Sequence, residues 1–390
     1  MTLPFIAYQL QTAAEGNTNR QRYPGLSDQK RDIEARCKIM ADAVEAADKS
    51  SRIDSMATKI FVAPEFFFRG GTAGVYDAEN VSLVNETMDR YVADPKYTKW
   101  IFVLGTTLAV MPGGGNNAEI MNIAIVRKGG KKIVKSNREV QKTDHLTADD
   151  TLLVYKEYVS AIDFLGTYFG DSNHFHGDPA TAGKANIMGQ QKILQPTSGA
   201  RPTGYVSHPS APNLHAAGHV WRPSVKLRAF ILDKFNKGLI TSKERDRLFN
   251  MNVQYTTSEQ SPTGLGGGTN FSIGGLKFVL EICLDHLQHR AEGTVNSATV
   301  DIHLVASCGM DPNYGHVKIG GYFFLVDGIT HRRLQVTLCQ RTATGWSYVD
   351  PVATLPMTDS SRWKNHTGQG LNLFQQGKGT VYVFPKVTIP

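Results

Sequence analysis

The sequence predicts a layered α/β protein. Two patterns carry that prediction. The first 140 residues alternate strand-like and helix-like segments, and the chain beyond residue 270 is a succession of apolar runs with short connections. The composition agrees: of 390 residues, 41% are hydrophobic and 20% charged, as expected of a globular chain with a core to bury. The length suits one domain, residues 1–390, carrying an insertion at 150–265.

Each element has a local reason. Phe5–Leu10 reads as the first strand. Asp28–Ala47 reads as a helix because Ile33, Cys37, Met40 and Val44 recur at four-three-four spacing, with Ser27 as the expected N-cap. That spacing makes Cys37 a core residue. Lys59–Ala63 is a short strand, and Asn80–Val92 a helix with Val81, Val84 and Met88 on one face. Trp100–Gly105 and Ile120–Val126 are strands, and Gly129-Gly130 is a turn leading to Lys132–Val134.

Composition then shifts. Residues 150–265 hold five of the twelve histidines and many Gly, Ser and Pro residues. One helical pattern, Val225–Met251, sits inside, broken at Lys237-Gly238 as in a helical hairpin. Thr241 is placed to cap the second arm, and Glu244 to close a capping box. Gly264–Gly268 reads as a hinge. Strand patterns resume at Leu276–Cys283, Val300–Ala306, Gly321–Val326, Arg333–Cys339, Trp346–Val349 and Thr380–Phe384.

The formal charge of +7 is a mild excess on a large surface, and the Lys and Arg residues are scattered. Nucleic-acid binding is therefore not the expected main function. Four cysteines, at 37, 283, 308 and 339, form no CxxC pair and are too few for a disulfide scaffold. They read as free thiols in a reducing, cytoplasmic setting. No secretory leader and no apolar run long enough to span a membrane is evident. His174, His176, His208, His215 and His219 lack thiolate partners and helix spacing, so no metal site is expected. Gly113-Gly114-Gly115 lacks the lysine of a phosphate loop.

Three residues carry chemistry. The apolar run Ile60-Phe61-Val62-Ala63 delivers Glu65 to a strand end, and Leu276–Ile282 delivers Cys283 to another. Lys142 lies between them in Val140-Gln141-Lys142-Thr143-Asp144-His145-Leu146. A thiolate attacks a carbonyl or nitrile carbon. A carboxylate can take its proton, and a cation can stabilise both the thiolate and a tetrahedral oxyanion. The backbone N–H of Leu284 is placed to be a second oxyanion donor. Phe66, His145, His286 and Cys308 are candidates to line the substrate pocket.

With these motifs the chain resembles the nitrilase superfamily of carbon–nitrogen hydrolases. The resemblance lies in Ala63-Pro64-Glu65-Phe66-Phe67-Phe68, in Lys142 followed by His145-Leu146, and in Glu281-Ile282-Cys283-Leu284-Asp285. Phe102–Gly105, Asn122–Val126 and Asp301–Ala306 extend it over most of 3–146 and 270–350. It implies a four-layer α-β-β-α sandwich, a Glu65-Lys142-Cys283 triad and no cofactor. It also implies self-association as a homodimer or higher homo-oligomer through outer helices, and a small-molecule amide substrate. Leu284-Asp285 after the nucleophile resembles the amidase and carbamoylase branches rather than the nitrilases themselves. Two departures stand out: an extra residue between Lys142 and His145-Leu146, and a long interval to Cys283. A second, substrate-side glutamate has several candidates: Glu157, Glu244 or Glu259, with Asp144 or Asp149 as substitutes. A catalytically idle member acting as a protein- or nucleic-acid-binding module is the alternative reading, and acyl transfer a third.

Overall fold

The computed structural model describes residues 1–13, 25–132, 151–156, 232–255, 266–357 and 373–390, apart from short stretches within the longer spans. The first half contains β1 (Thr2–Leu3), β2 (Phe5–Gln9), α1 (Gln29–Asp48), β3 (Lys59–Val62), β4 (Tyr76–Asp77) and α2 (Glu79–Val92). It continues through β5 (Trp100–Pro112), β6 (Asn117–Lys128) and β7 (Thr151–Tyr155). Then come α3 (Ser242–Phe249), β8 (Asn252–Tyr255), β9 (Gly266–Gly267), β10 (Asn270–Ile273), β11 (Leu276–Ile282) and α4 (Leu284–Leu287). The last part holds β12 (Ile302–Ser307), β13 (Tyr322–Asp327), β14 (Val336–Arg341), β15 (Trp346–Val349), β16 (Ala353–Pro356), β17 (Thr380–Val383) and β18 (Val387–Thr388).

Among the described residues, the strands form two main sheets. The larger runs β16-β17-β2-β3-β5-β6-β7-β9, with β4 beside β5 and β8 beside β6. The smaller runs β10-β11-β12-β13-β14-β15. Strand alternation explains how they stack. In β2, Phe5 and Ala7 point into a core shared with the smaller sheet's Leu280, Ile282, Leu304 and Phe324, whereas Ile6 and Tyr8 point the other way. On that second face, α1 and α2 seat Ile33, Cys37, Met40, Val44, Val84 and Met88 against Phe61 and Phe102. The predicted helical stripe is thus the buried stripe. The cap differs by one residue: Asp28, not Ser27, accepts from the Arg31 N–H at 3.1 Å. Helices, larger sheet and smaller sheet therefore make three stacked layers.

Two central strands of each sheet pair in parallel with their successors. β3 sits between β2 and β5, and β12 between β11 and β13. Their carboxyl ends are where this topology gathers loops, and open α/β sheets place ligand sites at such ends. Gly105 makes one of these ends possible. It has φ +72° at the bulge in β5, and a Cβ there would lie 2.4 Å from the Pro64 carbonyl oxygen. Only glycine lets β5 pass so close behind the turn that carries Glu65.

The segment expected as an insertion begins inside the larger sheet. β7 pairs antiparallel with β6, from Ile123 opposite Tyr155 to Arg127 opposite Thr151, so residues 151–156 belong to the sheet and not to an appendage. β8 also joins this sheet, parallel to β6. Gly266 and Gly267, read from sequence as part of a hinge, pair with Leu153 and Val154. The expected break at Lys237-Gly238 is a turn closed by the Gly238 N–H on the Phe235 carbonyl at 2.9 Å. The Arg245 N–H bonds the Thr241 carbonyl at 2.9 Å as α3 begins. Lys142, His145, the remaining inserted histidines and Gly113-Gly114-Gly115 lie outside the described residues. No helix among the described residues is long and apolar enough to cross a membrane.

Candidate active site

Glu65 follows β3 and is fully buried. An ionised carboxylate in that position needs a partner. Its partner is Lys156, the residue immediately after β7. The Lys156 ammonium donates to Glu65 Oε1 at 2.8 Å, and both side chains are fully buried. Asn122 of β6 donates to the same oxygen at 3.0 Å. Asn122 also fixes the lysine's backbone, because its carbonyl accepts the Lys156 N–H at 2.8 Å. Two adjacent strands thus supply a cation and an amide to one carboxylate oxygen.

Cys283 follows β11 and opens the short helix α4. Its φ is +48°, a left-handed conformation that costs an L-residue energy. The turn is held on both sides. The Cys283 N–H bonds the Ala306 carbonyl at 3.0 Å, and the His286 N–H bonds the Cys283 carbonyl at 2.9 Å. This sharp strand-to-helix turn sets the Cys283 side chain at the end of β11, where it is buried in the inter-sheet core.

Three connections link the segments that carry Glu65, Lys156 and Cys283. The Glu65 N–H bonds the Ser307 carbonyl at 3.3 Å, next to the Ala306 that anchors Cys283. The thiol of Cys283 lies 3.9 Å from the Cys308 carbonyl oxygen, one residue further on. The end of β12 therefore anchors both Glu65 and Cys283. On the lysine side, Arg290 donates to the Tyr155 carbonyl at 2.7 Å and to Asp285 at 2.9 Å. It ties the residue before Lys156 to the residue two beyond Cys283.

The loop after β12 is fixed by Asp327. One oxygen of its carboxylate accepts from Ser307 Oγ at 2.6 Å and from the N–H groups of Gly309 and Met310 at 2.7 and 2.9 Å. The other accepts from the Ile329 N–H at 2.7 Å. Burial raises the pKa of this carboxyl, and the four hydrogen bonds oppose that rise.

The pocket candidates separate. Phe66 has φ +63° and lies beside the charged pair: Lys156 Nζ is 5.8 Å from its ring centre, and the Arg69 guanidinium stacks on it at 3.9 Å. Phe67 and Phe68 belong to the helix-facing core instead. Cys308 is buried in the inter-sheet core, and burial pushes its thiol well above the usual range. Its backbone carbonyl, not its sulfur, is what approaches Cys283. His286 does not face that core. Its Nδ1 is 2.7 Å from Glu281 Oε2, and its Nε2 accepts the Asn313 N–H at 2.8 Å. It packs on the outer face of the smaller sheet beside His303 and Phe323.

Lys156 was not among the residues singled out from the sequence, although the same signal marks it. Leu152-Leu153-Val154-Tyr155 is an apolar run that delivers a lysine to a strand end, the same pattern that marks Glu65 and Cys283. The sequence pointed instead to Lys142, which lies outside the described residues.

No protein-family model matches the chain, and no curated protein matches it in sequence. Comparison of structures finds similarity to an amidase from Nesterenkonia sp., with 10% identity over 98% of this chain and 89% of that one, at a TM-score of 0.35. A mutant of the Nesterenkonia sp. AN1 amidase, with acrylamide added at its active-site cysteine, matches at 9% identity over 100% and 93% of the two chains, TM-score 0.37. Saccharomyces cerevisiae Nit3, a member of branch 10 of the nitrilase superfamily, matches at 12% identity over 90% of each chain, TM-score 0.32. At such scores the superpositions are loose and establish no residue equivalence.

Proposed function

We propose that this chain is a thiol-dependent carbon–nitrogen hydrolase of the nitrilase superfamily, acting on a non-peptide amide or carbamoyl substrate. Glu65 is its base, Lys156 its cation and Cys283 its nucleophile. The carrying observation is the fully buried Glu65–Lys156 pair, held at the end of the same strand that anchors the Cys283 turn. Lys156 replaces Lys142 in this assignment. The reading extends to the four-layer sandwich, of which three layers are described above, and to self-association through the outer helices.

The chemistry follows from the residue types. Glu65 takes the proton of the Cys283 thiol, and the thiolate forms a bond to the substrate carbonyl carbon. The carbonyl electron pair moves to oxygen, where the Lys156 ammonium and the Leu284 N–H stabilise the negative charge. Protonated Glu65 gives its proton to the departing nitrogen as the carbon–nitrogen bond breaks, leaving a thioester. Glu65 then removes a proton from water, which attacks the thioester. The acid leaves, and the proton returns to sulfur. Both steps use one carboxylate, which fits a single carboxylate flanked by a fixed cation.

Intact-mass spectrometry tests this. The protein is incubated with a panel of amides, carbamoyl compounds and nitriles, alongside Cys283→Ala. An acyl mass increment that maps to Cys283 and is absent from the variant is the expected result. Turnover of any panel substrate by Cys283→Ala at the wild-type rate would overturn the covalent mechanism. Hydroxylamine added to the reaction separates hydrolysis from acyl transfer, since it captures the acyl group only where external nucleophiles reach the thioester.

A further inference from the structure

A second buried carboxylate stands two residues before the nucleophile. Glu281 is fully buried on the outer face of the smaller sheet, opposite to the face that Leu280 and Ile282 turn toward the inter-sheet core. Its Oε1 accepts the Ala291 N–H at 2.7 Å. Its Oε2 lies 2.7 Å from His286 Nδ1 and 2.9 Å from His303 Nε2. No step of the hydrolysis uses any of these three side chains.

Glu281, His286 and His303 bring three metal-ligating atoms within 4.8 Å of one another, all buried. The hydrogen bonds argue for a different use. His286 Nε2 accepts the Asn313 N–H, so this nitrogen carries no proton on a neutral ring, and Nδ1 carries it and donates to Glu281. Metal ligation through Nδ1 would reverse that tautomer and set two N–H groups against each other at Asn313. The Glu281 Oε2 to imidazole nitrogen distances of 2.7 and 2.9 Å are also shorter than those between ligands about 2 Å from a shared ion in a tetrahedron.

We propose that the Glu281–His286 pair is a positioning device that holds the Cys283 turn in its left-handed conformation. The ring of His286 bridges the strand before the nucleophile to the loop after β12, through Glu281 on one side and Asn313 on the other. The backbone of the same histidine closes the turn on the Cys283 carbonyl. The Ala291 contact anchors the carboxylate from the segment that follows α4, next to Arg290. Three segments are thereby locked around one strained residue. His303 packs edge-on against His286, with ring centres 5.1 Å apart, and completes the enclosure. Neither Glu281 nor His286 is placed to touch substrate, so their effect passes through Cys283.

This inference rests on Cys283 being the nucleophile, and its test needs no substrate. The rate of Cys283 alkylation by iodoacetamide is measured against pH by intact mass for wild type, His286→Leu, His286→Asn and Glu281→Gln, with circular dichroism as the folding check. His286→Leu removes both ring bonds and is expected to slow alkylation at neutral pH by about tenfold, as small misplacements of a reacting group do. Its alkylation pKa is expected to move toward the free-cysteine value of about 8.5. His286→Asn retains a donor near the Nδ1 position and should recover part of the rate. Glu281→Gln keeps the shape, loses the charge and should fall between wild type and His286→Leu. A folded His286→Leu protein with the wild-type rate and pH profile would overturn the proposal. If His286→Leu does not fold, wild-type reactivity in Glu281→Gln would do the same. A wild type that alkylates at Cys283 yet forms no acyl adduct would sink the hydrolase reading while leaving this comparison intact.

Discussion

Two buried carboxylates, Glu65 after β3 of the larger sheet and Glu281 in β11 of the smaller one, are held by different sets of donors. Glu65 accepts an ammonium and a side-chain amide at Oε1. Glu281 is engaged at both oxygens, by a backbone N–H and two imidazoles. Its carboxyl pKa is pushed up by burial and pulled down further by His303 and His286, to a net position well below the ordinary range. A carboxylate enclosed by such donors is suited to hold structure and unsuited to trade protons near neutral pH. A carboxylate beside one fixed cation at a strand end suits proton transfer. On the proposed reading, the same residue type is put to structural or chemical use by its surroundings.

The largest expected effect comes from breaking the first pair. Lys156→Met leaves Glu65 buried without its cation, which typically costs about 3–5 kcal/mol. It should also remove the oxyanion's charged partner and lower kcat by about 10²–10³-fold. Lys142→Met should do neither. The double variant Glu65→Leu/Lys156→Met is expected to regain much of the lost stability, because no charge is left unpaired, while remaining inactive. Denaturant melts and turnover of a confirmed substrate read the two effects separately. If Lys142→Met is inactive and Lys156→Met is active, the assignment returns to Lys142 and the contrast between the two carboxylates collapses.

These two sites were not equally legible in the sequence. Glu65 and Cys283 were readable because each ends an apolar run, and the period of that run marks a buried strand. The α1 stripe was readable for the same local reason. Lys156 carried this signal too, but a short motif around Lys142 competed with it. Local motifs do not reveal which strand lies beside which. That Asn122 and Lys156 face the same oxygen depends on the antiparallel β6–β7 register. The Glu281 cluster was invisible for a stronger reason. Glu281 and His303 are separated by twenty-two positions and meet only because β11 and β12 pair in parallel, with Val279 opposite His303 and Glu281 opposite Val305. His286 looked like a pocket residue from its nearness to Cys283 in sequence. The short helix turns its ring to the far face.

An intermediate effect concerns acid. The folded-state pKa of Glu281 is depressed, so its contribution to stability is complete above the unfolded carboxyl value of about 4.3 and is lost as pH falls below it. His303 is held neutral by burial, with Glu281 opposing that shift in part. A base whose pKa is lowered on folding binds fewer protons in the folded state, so His303 weakens the fold as pH falls below about 6.5. Melting temperature should therefore decline in two stages on acidification. Glu281→Gln removes the titrating carboxyl and should flatten the lower stage, with the unfolding midpoint followed by intrinsic fluorescence. Identical slopes for wild type and variant below about pH 4.3 would show that Glu281 is not the charged centre of the cluster.

The smallest expected effect sharpens the contrast at the level of single thiols. All four cysteines are buried, and Cys283 is the one held at a left-handed turn between a strand and a helix. Cys37 sits between α1 and the larger sheet, with its sulfur 3.7 Å from the Val84 carbonyl, and burial raises its pKa well above the usual value. Burial does the same for Cys308 and pushes Cys339 up to about 12. The thiolate is the reactive form, so these three should stay unmodified under brief iodoacetamide treatment near neutral pH while Cys283 is labelled. Cys37→Ala, Cys308→Ala and Cys339→Ala should accordingly keep turnover, each losing about 1 kcal/mol or slightly more of stability through the small void left behind. Peptide mapping after a time course decides the matter. Cys308 is the informative control because it shares the inter-sheet core with Cys283 and its carbonyl lies 3.9 Å from the Cys283 sulfur. Labelling of Cys308 ahead of Cys283 would mean that the Glu65–Lys156 pair does not activate the thiol at the strained turn.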